Sequence, residues 1–281
     1  MRDDAPQVVA EKLGSPINFK IVGVIAGIVL GFHFLVNYLG ESDAYVSTSD
    51  ALVSGFSLII PLSVSIFAFL TSRKYSGALV YSKAYIMLGV AFLLMFFAEV
   101  TYIIYDLILD LDPYPSIADV FFFLFYPLII VYLIINLRFF APKISKSGLA
   151  LTIGMPIIAT ISYLYLVISP YLTETALSEF GIFEIIEDFG SFDFYYGMIF
   201  IAAASVTLGL AIHTATIFRG GLIGTAWLIL VVGIILNLVG DTWYYYSEVT
   251  TGYALTDPVN LCWYSAYLLI LYALYKHKTA L

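Results

Sequence analysis

Eight long apolar runs alternate with short polar links along the chain, and each run is long enough to cross a bilayer as a helix. The predicted helices cover Ile21 to Leu39, Ala51 to Thr71, Ala84 to Leu107, Ser116 to Leu137, Gly148 to Ile168, Phe194 to Ile217, Leu222 to Ser247 and Thr256 to Tyr275. Pro61 and Pro156 fall inside the second and fifth, where membranes tolerate a kink. The first run starts too far from the N-terminus, and lacks a small-residue cleavage site, to read as a cleaved signal peptide. The longest link, 169–192, holds Glu174, Glu179, Glu184, Glu187 and Asp188. Its Ile182, Ile185, Ile186 and Phe189 recur at helical spacing, which predicts an amphipathic helix lying on the membrane surface.

The pattern also repeats. Ala98 to Leu128 reads AEVTYIIYD, an acidic loop, then ADVFFFLFYPL; Gly240 to Leu269 reads GDTWYYYSE, a polar loop, then VNLCWYSAYLL. Glu99 aligns with Asp241, Tyr102 with Tyr244 and Asp106 with Glu248, so each copy sets acid, tyrosine and acid on one helix face. Beyond the loop, Asp119 aligns with Asn260 and Tyr126 with Tyr267. An even number of helices per unit makes the repeats parallel. The expected fold is therefore all-α: a polytopic membrane protein of eight transmembrane helices in two parallel four-helix repeats. A cytoplasmic tail, 1–20, precedes the first repeat, 21–140, and the second spans 148–278.

Composition strengthens the membrane reading. Of 281 residues 62% are hydrophobic and 11% charged, where a soluble chain has about a quarter charged. The one cysteine, Cys262, forms no internal disulfide and no zinc framework. Every Lys and Arg lies in the N-terminal tail, in the 2–3, 4–5 and 6–7 links, or at the C-terminal end. The positive-inside rule then puts both termini in the cytoplasm of a multi-pass cell-membrane protein. Most acids fall on the opposite side, giving an outer face that concentrates cations, or one adapted for solubility or high salt.

Glu99 and Asp241 are the main site candidates, since a carboxylate within an apolar run faces the bundle interior or a watery cavity. With Tyr102, Asp119, Tyr126, Tyr244, Asn260 and Tyr267 they form a polar set in the outer third of the bundle. The set reads either as a site for a cation, a proton or a small polar ligand, or as carboxylates hydrogen-bonded to tyrosines that pin the hairpins together. His33 lies about 20 Å from the inner face at about 1.5 Å per residue, level with this set. His213 is shallower, which argues against a bis-His haem, and a lone membrane His commonly bonds between helices. The aromatic blocks FFFLFY and WYYY read as packing and interfacial belts. No Lys is placed to hold a retinal Schiff base, and zinc-hydrolase, serine-hydrolase and nucleotide-loop motifs are absent. No catalytic residue, cofactor, metal site or nucleic-acid partner is expected.

The stretch Pro113 to Leu133 carries a P-S-x-A-D-x-x-x-x-x-x-Y-P-L pattern through Pro115, Ser116, Ala118, Asp119, Tyr126 and Pro127. A later G-D, then D-P-x-x-x-x-W, falls at Gly240, Asp241, Asp257, Pro258 and Trp263. In these patterns the chain resembles the N-terminal multi-helix membrane sensor module of bacterial and archaeal diguanylate cyclases and histidine kinases, here without an output domain. The resemblance implies a sensor-like module; with the acidic outer face, the leading expectation is a non-enzymatic sensor-like module, or an accessory subunit of a membrane complex, binding a ligand or partner at its acidic outer side. The alternative is a cation- or proton-coupled transporter using Glu99 and Asp241. The expected partners are the bilayer, other membrane subunits and a cation or small polar ligand from outside.

Overall fold

The computed structural model describes residues 17–77, 79–140, 145–169, 191–218 and 224–280. Eight long helices fill it: α1 (Phe19–Gly40), α2 (Val46–Lys74), α3 (Leu79–Ile103), α4 (Ile117–Phe140), α5 (Lys146–Ile168), α6 (Ser191–Ile217), α7 (Gly224–Thr250) and α8 (Val259–Ala280). A π-helical turn, Ile104–Ile108, prolongs α3, and no strand occurs among the described residues. Each predicted run overlaps one helix, with shifted ends: Ser116 and Thr256 lie before the first residues of α4 and α8, and the third run crosses from α3 into the π-helical turn. α2 begins at Val46 because the polar segment VSTSD is already helical. The predicted surface helix within 169–192 lies outside the described residues, as does most of the tail 1–20.

Seven helices, α1 to α7, are long and apolar enough to cross a membrane. α8, with 22 residues, is as long as α1 but is diluted by Asn260, Lys276, His277 and Lys278. The helix ends sort by charge. At one end Asn18 N–H donates to Tyr272 at 3.0 Å, Tyr75 O–H donates to the His277 carbonyl at 2.7 Å, and Lys74 reaches the Lys278 carbonyl. At the other, Asn37 Nδ2 donates to the Thr256 carbonyl at 3.2 Å and Tyr196 O–H donates to the Asp119 carbonyl at 2.7 Å. We call these the basic and the acidic end.

Six helices form a closed ring in the order α2, α3, α4, α6, α7, α8, each packed on the next and α8 packed back on α2. α1 lies outside against α2 and α8, and α5 outside against α6 and α7. Burial follows this plan: 11% of the apolar span is buried in α1 and in α5, against 61% in α6 and 56% in α7. The outer faces present Phe34 and Tyr38 on α1 and Ile153, Ile157 and Ile161 on α5. Such faces suit lipid, because apolar burial between helices brings little gain within a bilayer and close packing decides association instead.

Close packing is sharpest between α5 and α6. A Cβ on Gly209 would stand 2.7 Å from the Leu151 carbonyl oxygen and 3.0 Å from Thr152 Cα, both backbone atoms that cannot rotate away. Gly209→Ala is therefore expected to destabilise by about 1–3 kcal/mol, as overpacking does, measured by thermal unfolding in detergent. Wild-type stability for the variant would show that α5 has room to withdraw.

The basic half of the ring is filled by aromatic side chains. Trp227, Tyr85, Tyr132 and Phe92 are fully buried. Trp227 stacks on Phe218 at 5.1 Å and on Tyr132 at 5.9 Å between centroids. His277, also fully buried, has Nδ1 2.6 Å from Tyr85 Oη, and Tyr85 O–H donates to Tyr81 at 3.2 Å.

Candidate functional site

The acidic half of the ring holds a chamber of about 950 Å³, its open mouth included, with all six ring helices in its wall. α2 contributes Ser54, Ser57 and Pro61; α3 contributes Met95, Glu99 and Tyr102; α4 contributes Asp119 and Phe122. α6 and α7 add Phe200, Asp241, Tyr244 and Tyr245, and α8 adds Asn260, Trp263, Tyr264 and Tyr267. Tyr253 and Leu255, from the α7–α8 link, flank this wall. Most of the wall is apolar or aromatic, so its few polar groups define what it can hold.

Asp241 is fully engaged. Its Oδ2 accepts from Tyr126 O–H and from Asn237 Nδ2 at 2.9 Å, and its Oδ1 accepts from Trp263 Nε1 at 2.9 Å. Asn237 also donates to Tyr126 at 2.9 Å. The network joins α4, α7 and α8, and it floors the chamber above a second, small cavity lined mainly by apolar side chains. Gly240 allows it: a Cβ there would stand 2.7 Å from Trp263 Nε1.

Asp119 and Asn260 organise the starts of their helices. Asp119 Oδ2 accepts from Ser116 N–H at 2.7 Å while Ser116 Oγ accepts from Ala118 N–H at 3.1 Å, the reciprocal logic of a capping box. Asn260 Nδ2 donates to the Leu255 carbonyl at 2.7 Å, and its Oδ1 accepts from Tyr253 O–H at 3.1 Å.

Glu99 differs. It lines the chamber, and its carboxylate makes no hydrogen bond or ion pair among the described residues. The hairpin alignment explains why. Where α7 has Asn237, one turn before its acid, α3 has Met95; where α8 has Trp263, α4 has Phe122. Two of the three donors that hold Asp241 are thus replaced by apolar side chains around Glu99. The third counterpart, Tyr267, packs its ring on Phe92 at 5.5 Å and makes no bond to Glu99.

The chamber brings together Glu99, Tyr102, Asp119, Asp241, Tyr244, Asn260 and Tyr267, while Tyr126 supports it from the floor. His33 stands apart. Asn37 Nδ2 lies 3.3 Å from its Nδ1, and its ring lines a smaller cavity that shares Asn260 and Tyr264 with the chamber wall. The tyrosine that bonds Asp241 is Tyr126 of α4, not Tyr244 at i+3. Sequence reasoning missed Asn237, Tyr253, Tyr264 and Ser57, and noticed Trp263 only within a pattern. The Asn237–Asp241 spacing, one helical turn, was the available signal. No group of three or more His, Cys, Asp or Glu placed to hold a metal ion occurs among the described residues. Compared with known protein families, curated proteins and solved structures, the chain matches none.

Proposed function

We propose that this is a non-enzymatic multi-pass membrane protein, a sensor-like module or accessory subunit that takes a ligand into the acidic-end chamber from outside the cell. One observation carries the reading: a carboxylate at membrane depth, Glu99, faces a cavity without a partner, while its counterpart Asp241 has three. An isolated carboxylate in a poorly solvated site is costly, and such residues mark ligand or ion sites. The ring order supports two parallel repeats, since α2–α3–α4 and α6–α7–α8 recur around it and α4 meets α6 as α8 meets α2. α5 departs from that symmetry by leaning on α7. Transport through the ring is the weaker reading. A transporter needs polar groups leading to both faces, and beneath the Asp241 floor lie an apolar cavity and the packed Trp227–Tyr132–His277 cluster.

Single cysteines test side and access together, in a background with Cys262 replaced by Ala. Asp112→Cys and Ser145→Cys, both on exposed links, should react with an impermeant thiol reagent from opposite sides of the membrane, Asp112 from outside. Glu99→Cys should react from the Asp112 side alone. Reaction of Glu99→Cys from both sides would favour transport, and no reaction from either would remove the ligand reading.

A further inference from the structure

We infer that the chamber is built for an organic ammonium ion with an apolar body, Glu99 countering its charge and the surrounding rings holding its alkyl groups. This rests on the ligand-binding reading above and names the class of ligand. A metal cation needs several oxygen or nitrogen ligands converging on one point. Here Asp241 is occupied by three donors, Asp119 caps its helix through Ser116 N–H, Asn260 bonds the Leu255 carbonyl and the Tyr253 hydroxyl, and no metal-holding cluster stands among the described residues. Of the three wall carboxylates, an inorganic ion would find only Glu99 without a hydrogen bond among the described residues. An anion would find a carboxylate and no Lys or Arg in the wall.

An alkylated ammonium fits what is there. Its charge is spread over methyl or methylene groups, so it needs no set of directed ligands and binds the faces of Trp and Tyr rings. Tyr102, Tyr253, Tyr264 and Tyr267 line the chamber together with Glu99. Three of these rings are held in place, Tyr267 by packing on Phe92. Tyr264 O–H lies 3.0 Å from Ser57 Oγ and Tyr253 is fixed by Asn260, so the aromatic wall is formed before anything enters. Trp263, locked to Asp241, packs beside Tyr253 and Tyr244 at 6.2 and 5.6 Å. The largely aromatic and apolar lining suits an organic molecule rather than a bare ion. Replacement of Asn237 and Trp263 by Met95 and Phe122 in the other hairpin leaves its acid free for an external cation, which is what distinguishes the two halves.

The test uses the full chain in lipid nanodiscs and reads probe binding by quenching of tryptophan fluorescence and by thermal shift. Benzyltrimethylammonium is the probe, neopentylbenzene its uncharged isostere, and sodium and calcium chloride the inorganic cations. Benzyltrimethylammonium should bind wild type at least about tenfold more tightly than neopentylbenzene, since about 1.4 kcal/mol corresponds to tenfold. Glu99→Gln, which breaks no hydrogen bond, should erase that preference while leaving the unliganded protein folded, and Glu99→Asp should keep the preference. If both aromatic probes bind alike and Glu99→Gln changes neither, the ammonium assignment is overturned and a ligand chamber still stands. If calcium or sodium displaces the probe at lower concentration than the ammonium binds, the ligand is an inorganic cation and the assignment fails. If no probe binds and Glu99→Cys is also inaccessible, the chamber reading and the assignment fall together.

Discussion

Asp241→Ala should destabilise the protein by about 3–5 kcal/mol, because it strands three buried donors at about 1–3 kcal/mol each, relieved in part by water from the chamber. Tyr126 O–H, Asn237 Nδ2 and Trp263 Nε1 all converge on this carboxylate, and Asn237 alone has a second acceptor, the Tyr126 hydroxyl. Glu99→Gln, at the equivalent position of the other hairpin, strands no donor and removes a costly isolated carboxylate, so it should leave stability unchanged or raised. Unfolding of both variants under identical detergent conditions gives the comparison. Equal effects would mean that the two acids are equivalent and that the asymmetry between the hairpins has no energetic content.

Trp227→Ala is the second large effect, expected at about 3–5 kcal/mol from the cavity it would leave. The indole is fully buried between Phe218 and Tyr132, so its deletion removes contacts on both faces. Lipid cannot fill the void from the side, and the loss is chiefly of dispersion contacts. Trp227→Phe should cost far less. It keeps a stacking ring and removes an indole N–H that is buried without an acceptor. A chamber probe should still bind Trp227→Phe as it binds wild type, because this cluster lies below the Asp241 floor. Loss of binding with retained folding would connect the two halves of the ring.

The helices were legible because apolar length is what a bilayer demands. Their ends were less so: the backbone of Val46 to Asp50 is helical although its side chains are polar, and hydropathy does not register hydrogen bonding. The π-helical turn after Ile103 carries no composition signal at all. The site was legible as a set of residues, since a charged or amide side chain in an apolar run stands out. What the residues do was not. Asp241 and Glu99 look alike along their own helices, and they differ through Trp263 and Tyr126, which arrive from other helices. Only Asn237 announces the difference locally. Asp119 and Asn260 matched in the alignment because each shapes the start of its helix, a role that near-equivalent spacing cannot tell apart from ligand binding.

The ring closes between α2 and α8, and α8 supplies Asn260, Trp263, Tyr264 and Tyr267 to the chamber. It is also the one helix of the eight whose composition falls short of a free-standing membrane span. During synthesis it emerges after every other described helix, into a bilayer where it is poorly soluble by itself and where α2 and α7 offer a matching slot. Until it enters, Asp241 lacks one of its three donors and Glu99 faces lipid through an open gap. Completion of the chamber wall and of the Asp241 network therefore waits on insertion of the final helix.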